Sequence, residues 1–368
     1  MYYEKLSSNK LYLDDLSYVL SLNFPWNKLK NSTVLISGAT GMLGSMLIDV
    51  ILLGNNIMDL NCSIIALSRS CSKLKKRFNY AKANFDKTLF LHELDINNPI
   101  ELKNITKKID YIIHLASNTH PVAYSTDPIG TILANIYGTK NLLDFCVKNK
   151  SQRFLFASSN EIYGENRGDV EFFSEGYCGY IDCNTLRAGY PESKRCGEAL
   201  CQAYIKQYGV DVVISRLTRT YGPTLSTTDT KALTQFLFKA LNNEDIVLKS
   251  EGNQFYSYTY AADALAGLFT VLFNGVSGEA YNIADEQSDI KLKDLAKIIA
   301  NTANRKVVFE LPNETEKAGF SKATKARLDA TKLKKLGWKL HYPIKNGVER
   351  VFCIMENCKI KTLLNIKQ

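Results

Sequence analysis

Thr33-Val-Leu-Ile-Ser37-Gly38-Ala-Thr40-Gly41-Met42-Leu43-Gly44-Ser45-Met-Leu-Ile-Asp-Val-Ile-Leu-Leu53 carries, in one run, a short apolar strand, a glycine turn and the first turns of an apolar helix. A glycine turn at that junction lets the backbone approach a pyrophosphate closely. The exposed N–H groups and the helix dipole at the amino end attract its charge. The spacing is G-x-x-G-x-x-G, one residue longer at the first gap than the G-x-G-x-x-G form. We therefore expect a dinucleotide to lie against Gly38, Thr40, Gly41, Met42, Leu43 and Gly44.

Outward from this run, strand-length apolar stretches alternate with amphipathic ones. Strands are expected at 33–37, 63–68, 88–92, 110–115, 152–158 and 211–216, and helices at 42–54, 72–80, 99–106, 129–149 and 188–208. Parallel strands need a crossover, usually a helix, so the pattern predicts an α/β fold with a doubly wound parallel sheet. Past Tyr221-Gly222-Pro223 the alternation weakens into mixed segments, which we read as a smaller α/β substrate lobe over 223–350 with pieces returning to the sheet. Residues 1–30 read as a helical extension, and 31–222 as the dinucleotide domain, interrupted by a polar insertion at 165–187.

Composition narrows the class. Of 368 residues, 45% are hydrophobic, which is enough for one large core or two ordinary ones and excludes a disordered chain. No apolar run approaches the roughly 18 residues of a membrane span, and the first 22 residues lack the pattern of a secretory leader, so a cytosolic protein is expected. The nine cysteines have no metal-ligand spacing, so reduced thiols and no metal are expected. Much of the net charge of +9 sits in Lys73–Lys87 and Lys322–Lys335, neither of which interleaves aromatics with base-reading side chains, and it does not point to nucleic acid.

The second strand ends in Ser68-Arg69-Ser70, where NAD-selective sites place an acid on the ribose hydroxyls. With no carboxylate there and a guanidinium adjacent, NAD(P) is the expected cofactor, with NADP favoured. Asp95-Ile96 suits the adenine edge, and Leu115-Ala116-Ser117 places small residues against the cofactor. The fifth strand runs into Ser158-Ser159-Asn160-Glu161, and Tyr190-Pro-Glu-Ser-Lys194 opens a helix some thirty residues later. Tyr and Lys four apart share a helical face, so the ammonium is expected to lower the phenol from about 10 toward neutrality. Ser159 at a strand end can hold the same substrate hydroxyl, completing a set that removes a proton while hydride leaves for a nicotinamide. Asn118 and His120, after the fourth strand, and Arg187, at the end of the insertion, are placed to meet substrate.

These motifs, with Asn135-Ile-Tyr-Gly138, Arg216-x-x-x-x-Tyr221-Gly222-Pro223 and Tyr260-Ala-Ala-Asp263, resemble those of extended short-chain dehydrogenases/reductases of the nucleotide-sugar epimerase, dehydratase and decarboxylase group, over roughly residues 31–345. The resemblance implies a Rossmann-type domain, a nucleotide-sugar lobe, a tightly held nicotinamide cofactor contacted by Asn135 among others, a transient keto-sugar and a homodimer. It makes Ser159, Tyr190 and Lys194 the catalytic trio, with Glu161 beside them. Dehydratases of the group have Asp-Glu where this chain has Asn160-Glu161, and Asn cannot protonate a leaving hydroxide. Decarboxylases have Ser or Thr followed by Glu there, which Glu161 fits and Asn160 does not. The string Ser-Ser-Asn-x-x-Tyr-Gly also resembles carbon-2 epimerases of CDP-sugars, which have Lys in place of Glu161.

Epimerisation is thus the first expectation and uronate decarboxylation the second. A nicotinamide-binding sensor or scaffold is the non-enzymatic alternative. The family's diphosphate-binding Arg is replaced by Tyr256, while Arg219 stands where the family usually has Asn. Arg219 is expected to supply the missing charge. The expected ligand is a nucleotide-linked sugar.

Overall fold

The protein is described here by a computed structural model covering residues 2–101, 107–119, 121–310 and 324–358. Its strands are β1 Thr33–Ser37, β2 Ser63–Ser68, β3 Leu89–Glu93, β4 Tyr111–His114, β5 Arg153–Ser159, β6 Val212–Leu217, β7 Arg219–Tyr221, β8 Ile246–Leu248, β9 Phe255–Tyr260, β10 Ala280–Ile283, β11 Asp289–Lys291, β12 Val307–Phe309 and β13 Lys325–Ala326. Seven of them form one parallel sheet in the order β10-β6-β5-β4-β1-β2-β3. The chain starts in the middle at β1, runs outward to β3 and crosses back to β4, so the winding reverses between β1 and β4. At such a switch point the connections leave in opposite directions and open a crevice at the carboxyl ends of the strands.

The sheet is buried on both faces because successive side chains point to opposite sides. Leu35, Ile65, Ile112, Phe154 and Phe156 pack with Leu142, Leu143 and Cys201 of the Pro128–Asn149 and Gly189–Tyr208 helices. Val34, Ile36, Ile64, Ala66 and Leu155 face the other way, in the core shared with Met46, Leu47 and Val50 of the Met42–Ile57 helix. The smaller lobe is built on β9, which pairs with β7, β11 and β13. The aromatic strand β9 was not among the sequence expectations. The 99–106 helix was, and its residues 102–106 lie outside the described ones.

Two further features bear on the site. The amino-terminal residues form helices Tyr2–Ser7 and Lys10–Ser21, tied down by Tyr2 Oη donating to Pro223 O (2.6 Å) and by Tyr12 Oη donating to buried Asp49. The 165–187 insertion is pinned along its length. Phe173 stacks between Tyr163 and Tyr177, Arg216 donates to Glu175 O (2.6 Å) and to Glu198, and Phe173 N–H donates to Arg327 O (2.8 Å). All nine cysteines are free thiols.

Candidate active site

A cleft of about 500 Å³ opens over the carboxyl ends of β1, β2, β4 and β5. One end is the glycine turn. Gly38 adopts a left-handed φ of +73°, and a Cβ there would meet Ala116 N at 2.8 Å. A Cβ on Gly44 would lie 2.3 Å from the Gly38 carbonyl oxygen. Only hydrogen fits at either position, so the helix amino end can sit against the strand end. Gly41 caps the Met42–Ile57 helix with no side chain on its amino-terminal N–H groups, which leaves those donors for a ligand phosphate. Thr40, Met42, Leu43, Ser68, Arg69, Asp95, Ile96, Leu115, Ala116 and Ser117 line the same cleft.

Asn135 lies behind the lining, fully buried. It accepts from Ser117 Oγ (2.8 Å) and donates to Ser193 Oγ (2.9 Å), which in turn donates to Tyr190 O (2.8 Å). It therefore braces both the cofactor wall and the helix that presents Tyr190. His114 is likewise internal, bonded to Ser37 Oγ (2.8 Å) and Thr139 Oγ1 (3.1 Å).

In the middle of the cleft Ser159, Glu161, Tyr190 and Lys194 come together, although two chain segments supply them. Ser159 ends β5, and its Oγ accepts from Glu161 N–H (3.2 Å), which starts a short 3₁₀ turn and fixes both side chains. Tyr190 is 6% exposed. Burial, and then the Glu161 carboxylate, push its phenol up to about 12, while the Ser159 hydroxyl and the Arg187 guanidinium pull it down. This corrects the expectation that Lys194 brings the phenol toward neutrality. The ammonium instead donates to Ala157 O (2.8 Å) and sits 4.9 Å from the Phe156 ring centroid, where burial brings Lys194 itself down to about 8.

Arg187 does not line the cleft. Its guanidinium pairs with Glu161 at 2.5 Å and lies 4.8 Å from the Tyr124 ring centroid, with Nη1 buried and unbonded. Tyr124, which motif reading missed, stacks on Tyr190 with ring centroids 4.8 Å apart. Only its aromatic character could have flagged it, since it follows no motif.

At the far end, Asn118, Asn160 and Arg219 line the cleft. Asn118 donates to Thr131 Oγ1 (3.1 Å). The Arg219 guanidinium stacks 3.6 Å from the Tyr256 ring centroid, with Nη1 buried and unbonded. Tyr256 is thus the shelf under Arg219, because β7 and β9 pair in register at Arg219 and Tyr258. His120 lies outside the described residues.

Set against known proteins, residues 34–284 match the model of the "NAD dependent epimerase/dehydratase family". The chain belongs to this family. Curated relatives include UDP-glucuronic acid decarboxylase 1 of Xenopus tropicalis, 28% identical over 86% of this chain and 70% of the relative. UDP-glucuronic acid decarboxylase 5 of Arabidopsis thaliana is also 28% identical, over 86% of this chain and 87% of its own. Among solved structures, UDP-glucuronic acid 4-epimerase from Bacillus cereus aligns over 90% of this chain and 99% of its own, with a TM-score of 0.74 and 20% identity. A dTDP-glucose 4,6-dehydratase from Streptomyces venezuelae, solved with NAD bound, aligns over 90% and 98% with a TM-score of 0.75 and 22% identity. These structural likenesses establish the Rossmann-type fold of the epimerase/dehydratase family. NAD dependence comes with the family, and the Gly38–Gly44 cradle, closed to any Cβ, fits such a dinucleotide. No helix among the described residues is long and apolar enough to cross a membrane.

Proposed function

We propose that this epimerase/dehydratase-family chain acts on a nucleotide-linked uronic acid, passing one ring hydroxyl through a ketone and releasing carbon dioxide. The observation that carries this reading is Glu161, set in the cleft against Tyr190 and paired with Arg187. A Glu in that position is the feature that decarboxylases of the group share with this chain, and the curated relatives named above are UDP-glucuronic acid decarboxylases. Epimerisation stood first in the sequence reading, and these two observations reverse the order. It remains the second reading on Asn160, which is buried in the cleft where the group's carbon-2 epimerases also have Asn.

The residues divide the work. Gly38, Gly41, Gly44 and the first helical amides hold the pyrophosphate of the cofactor, and Asp95, Ile96 and Leu115 to Ser117 hold its adenosine half. NAD held there supplies a reversible hydride acceptor, so that a sugar alcohol can become a ketone and return. Ser159 holds the alcohol oxygen, and Tyr190 exchanges the proton with it. Lys194, brought down to about 8 and anchored on Ala157 O, is the cation beside them.

A ketone at the second carbon from a carboxylate makes a β-keto acid. The carbon–carboxylate bond then breaks, its electron pair passing into the ketone as an enolate, and the carbon takes up one proton. Asn160 offers no acidic proton for a leaving hydroxide, which counts against dehydration. Arg219 on Tyr256 holds the substrate diphosphate, with its unbonded Nη1 as the donor.

Incubating the full chain and its dinucleotide with carboxyl-labelled UDP-glucuronate tests the reading. Labelled carbon dioxide and a UDP-pentose support it. A UDP-uronate epimer formed without gas release would favour the second reading. If Arg219→Ala binds nucleotide-sugar as tightly as the parent by calorimetry, the diphosphate assignment is wrong.

A further inference from the structure

We infer that Tyr2, on the first of the amino-terminal helices, is a positioning residue for the nucleotide-sugar: it sets the 222–231 segment over the cleft. This rests on the nucleotide-sugar reading of the cleft and gives a role to a helix that precedes the family stretch, 34–284.

The 222–231 segment has a buried root and an open tip. Gly222 to Leu225 are buried, whereas Ser226, Thr228 and Thr230 are exposed. Ser226, Thr228, Asp229 and Lys231 line the cleft, and they follow directly on Arg219 and Thr220 of β7, which line it too. Burial, and then the Tyr190, Glu161 and Asp229 charges, raise the Tyr124 phenol. The tip therefore lies beside the ring that stacks on Tyr190.

Such a tip is only as well placed as its root, and two hydroxyls hold that root from opposite partners. Tyr2 Oη donates to Pro223 O at 2.6 Å, across 221 positions of sequence. Thr224 Oγ1 donates to Met42 O at 2.9 Å, at the first residue of the Met42–Ile57 helix. The root is thereby fixed between the extension and the helix whose first amides are left for the pyrophosphate. The pairing of β7 with β9 ends at Tyr221, so the Pro223 carbonyl, buried just beyond it, needs a donor from outside the sheet. Tyr2, itself buried, supplies one. The extension is seated on the same dinucleotide helix, where Tyr12 Oη donates to Asp49. A hydroxyl that passes from this fixed platform to the base of a ligand-lining segment acts on the ligand without touching it.

Hydrogen exchange and calorimetry on the full chain with NAD bound test the inference. Tyr2→Phe keeps the ring and removes only the hydroxyl. The peptide spanning 222–231, in which Leu225, Asp229 and Lys231 have hydrogen-bonded amides, should exchange about tenfold faster than in the parent. UDP-glucuronate should bind about fivefold more weakly, because the segment must be ordered on binding, while NAD affinity stays within about twofold. Thr224→Val removes the hydroxyl on the other side of the root. It should quicken exchange of the same peptide, and it decides the matter if Tyr2→Phe does not fold. Tyr18→Phe removes a hydroxyl that the same helices give to Asp263 instead (3.2 Å), and it should leave exchange of 222–231 and UDP-glucuronate affinity at parent values. Parent-like exchange and affinity in Tyr2→Phe overturn the inference, as does faster exchange spread over the whole chain in both tyrosine variants. If the parent binds no UDP-glucuronate, the nucleotide-sugar reading falls, and exchange of 222–231 alone decides whether Tyr2 sets the segment.

Discussion

Tyr190 stands between opposite charges, and the balance is adjustable one residue at a time. The Glu161 carboxylate raises its phenol and the Arg187 guanidinium lowers it, while burial holds it at about 12 in the chain itself. Glu161→Gln removes the negative neighbour and leaves the cation, so the phenolate becomes easier to form. The limb of kcat/KM that rises with pH should then move to lower pH by about one unit. Arg187→Gln leaves the carboxylate alone and should move the same limb the other way. A pH–rate series on the two variants checks the pair of signs, and shifts in one common direction would show that neither charge acts on Tyr190. Tyr190→Phe should abolish turnover while dinucleotide binding by calorimetry stays unchanged, an outcome a pure sensor or scaffold would not share. At this scale the sequence was partly legible. Tyr190 and Lys194 could be paired by helical spacing, but the partner that the ammonium takes, Ala157 O, is a backbone atom that no motif displays. Tyr124 reaches Tyr190 from a different helix, so its role depends on tertiary packing.

Among the elements, the glycine turn is the one whose geometry the ligand depends on most. A Cβ at Gly44 would press within 2.3 Å of a backbone oxygen, so Gly44→Ala must open the turn and spread its N–H donors. Dinucleotide affinity should fall by more than tenfold, or about 1.4 kcal/mol. Gly176→Ala, where an added Cβ meets nothing within 4 Å, should leave it unchanged, and calorimetry on both variants separates a local effect from general damage. The strands of the large sheet were legible because parallel strands covered on both faces are unbroken apolar runs, as in Val34 to Ile36 and Phe154 to Ala157. Strand β9 was not, because Phe255-Tyr-Ser-Tyr-Thr-Tyr260 alternates aromatic with hydroxyl residues, and its pairing with β7, β11 and β13 joins segments far apart in sequence. The insertion carries no period at all. Its order comes from Phe173 wedged between Tyr163 and Tyr177, and from Arg216 reaching in from β6.

Across the whole molecule, buried carboxylates join the amino-terminal helices to both lobes. Asp49 gathers Tyr12, Tyr80 and Arg77. Asp15 accepts from Tyr260 Oη and Arg350 Nε, both at 2.5 Å, and Asp263 accepts from His341 N–H and Tyr342 N–H, each at 2.9 Å, and from Tyr18 Oη at 3.2 Å. Removing a cation from such a group strands a buried charge, so Arg350→Met should destabilise the fold by about 3 kcal/mol in urea titration. Asp263 makes the same architecture sensitive to pH. Burial pushes its carboxyl up to about 7, with the His341 and Tyr342 amides and the Tyr18 hydroxyl holding it from going higher. In the unfolded chain it titrates near 4. The folded state therefore keeps a proton that the unfolded state has released across that interval. Its contribution to stability is full below about pH 4 and is lost as pH rises through about 7. Asp263→Asn cannot titrate and sets a donor against the amides of residues 341 and 342, so it should be less stable than the parent at pH 5. The gap should narrow by about 2 kcal/mol on going to pH 7.5, because only the parent loses stability over that range through this group. Urea melts at the two pH values measure the gap directly, and a gap that stays constant would mean that Asp263 does not change its charge between them.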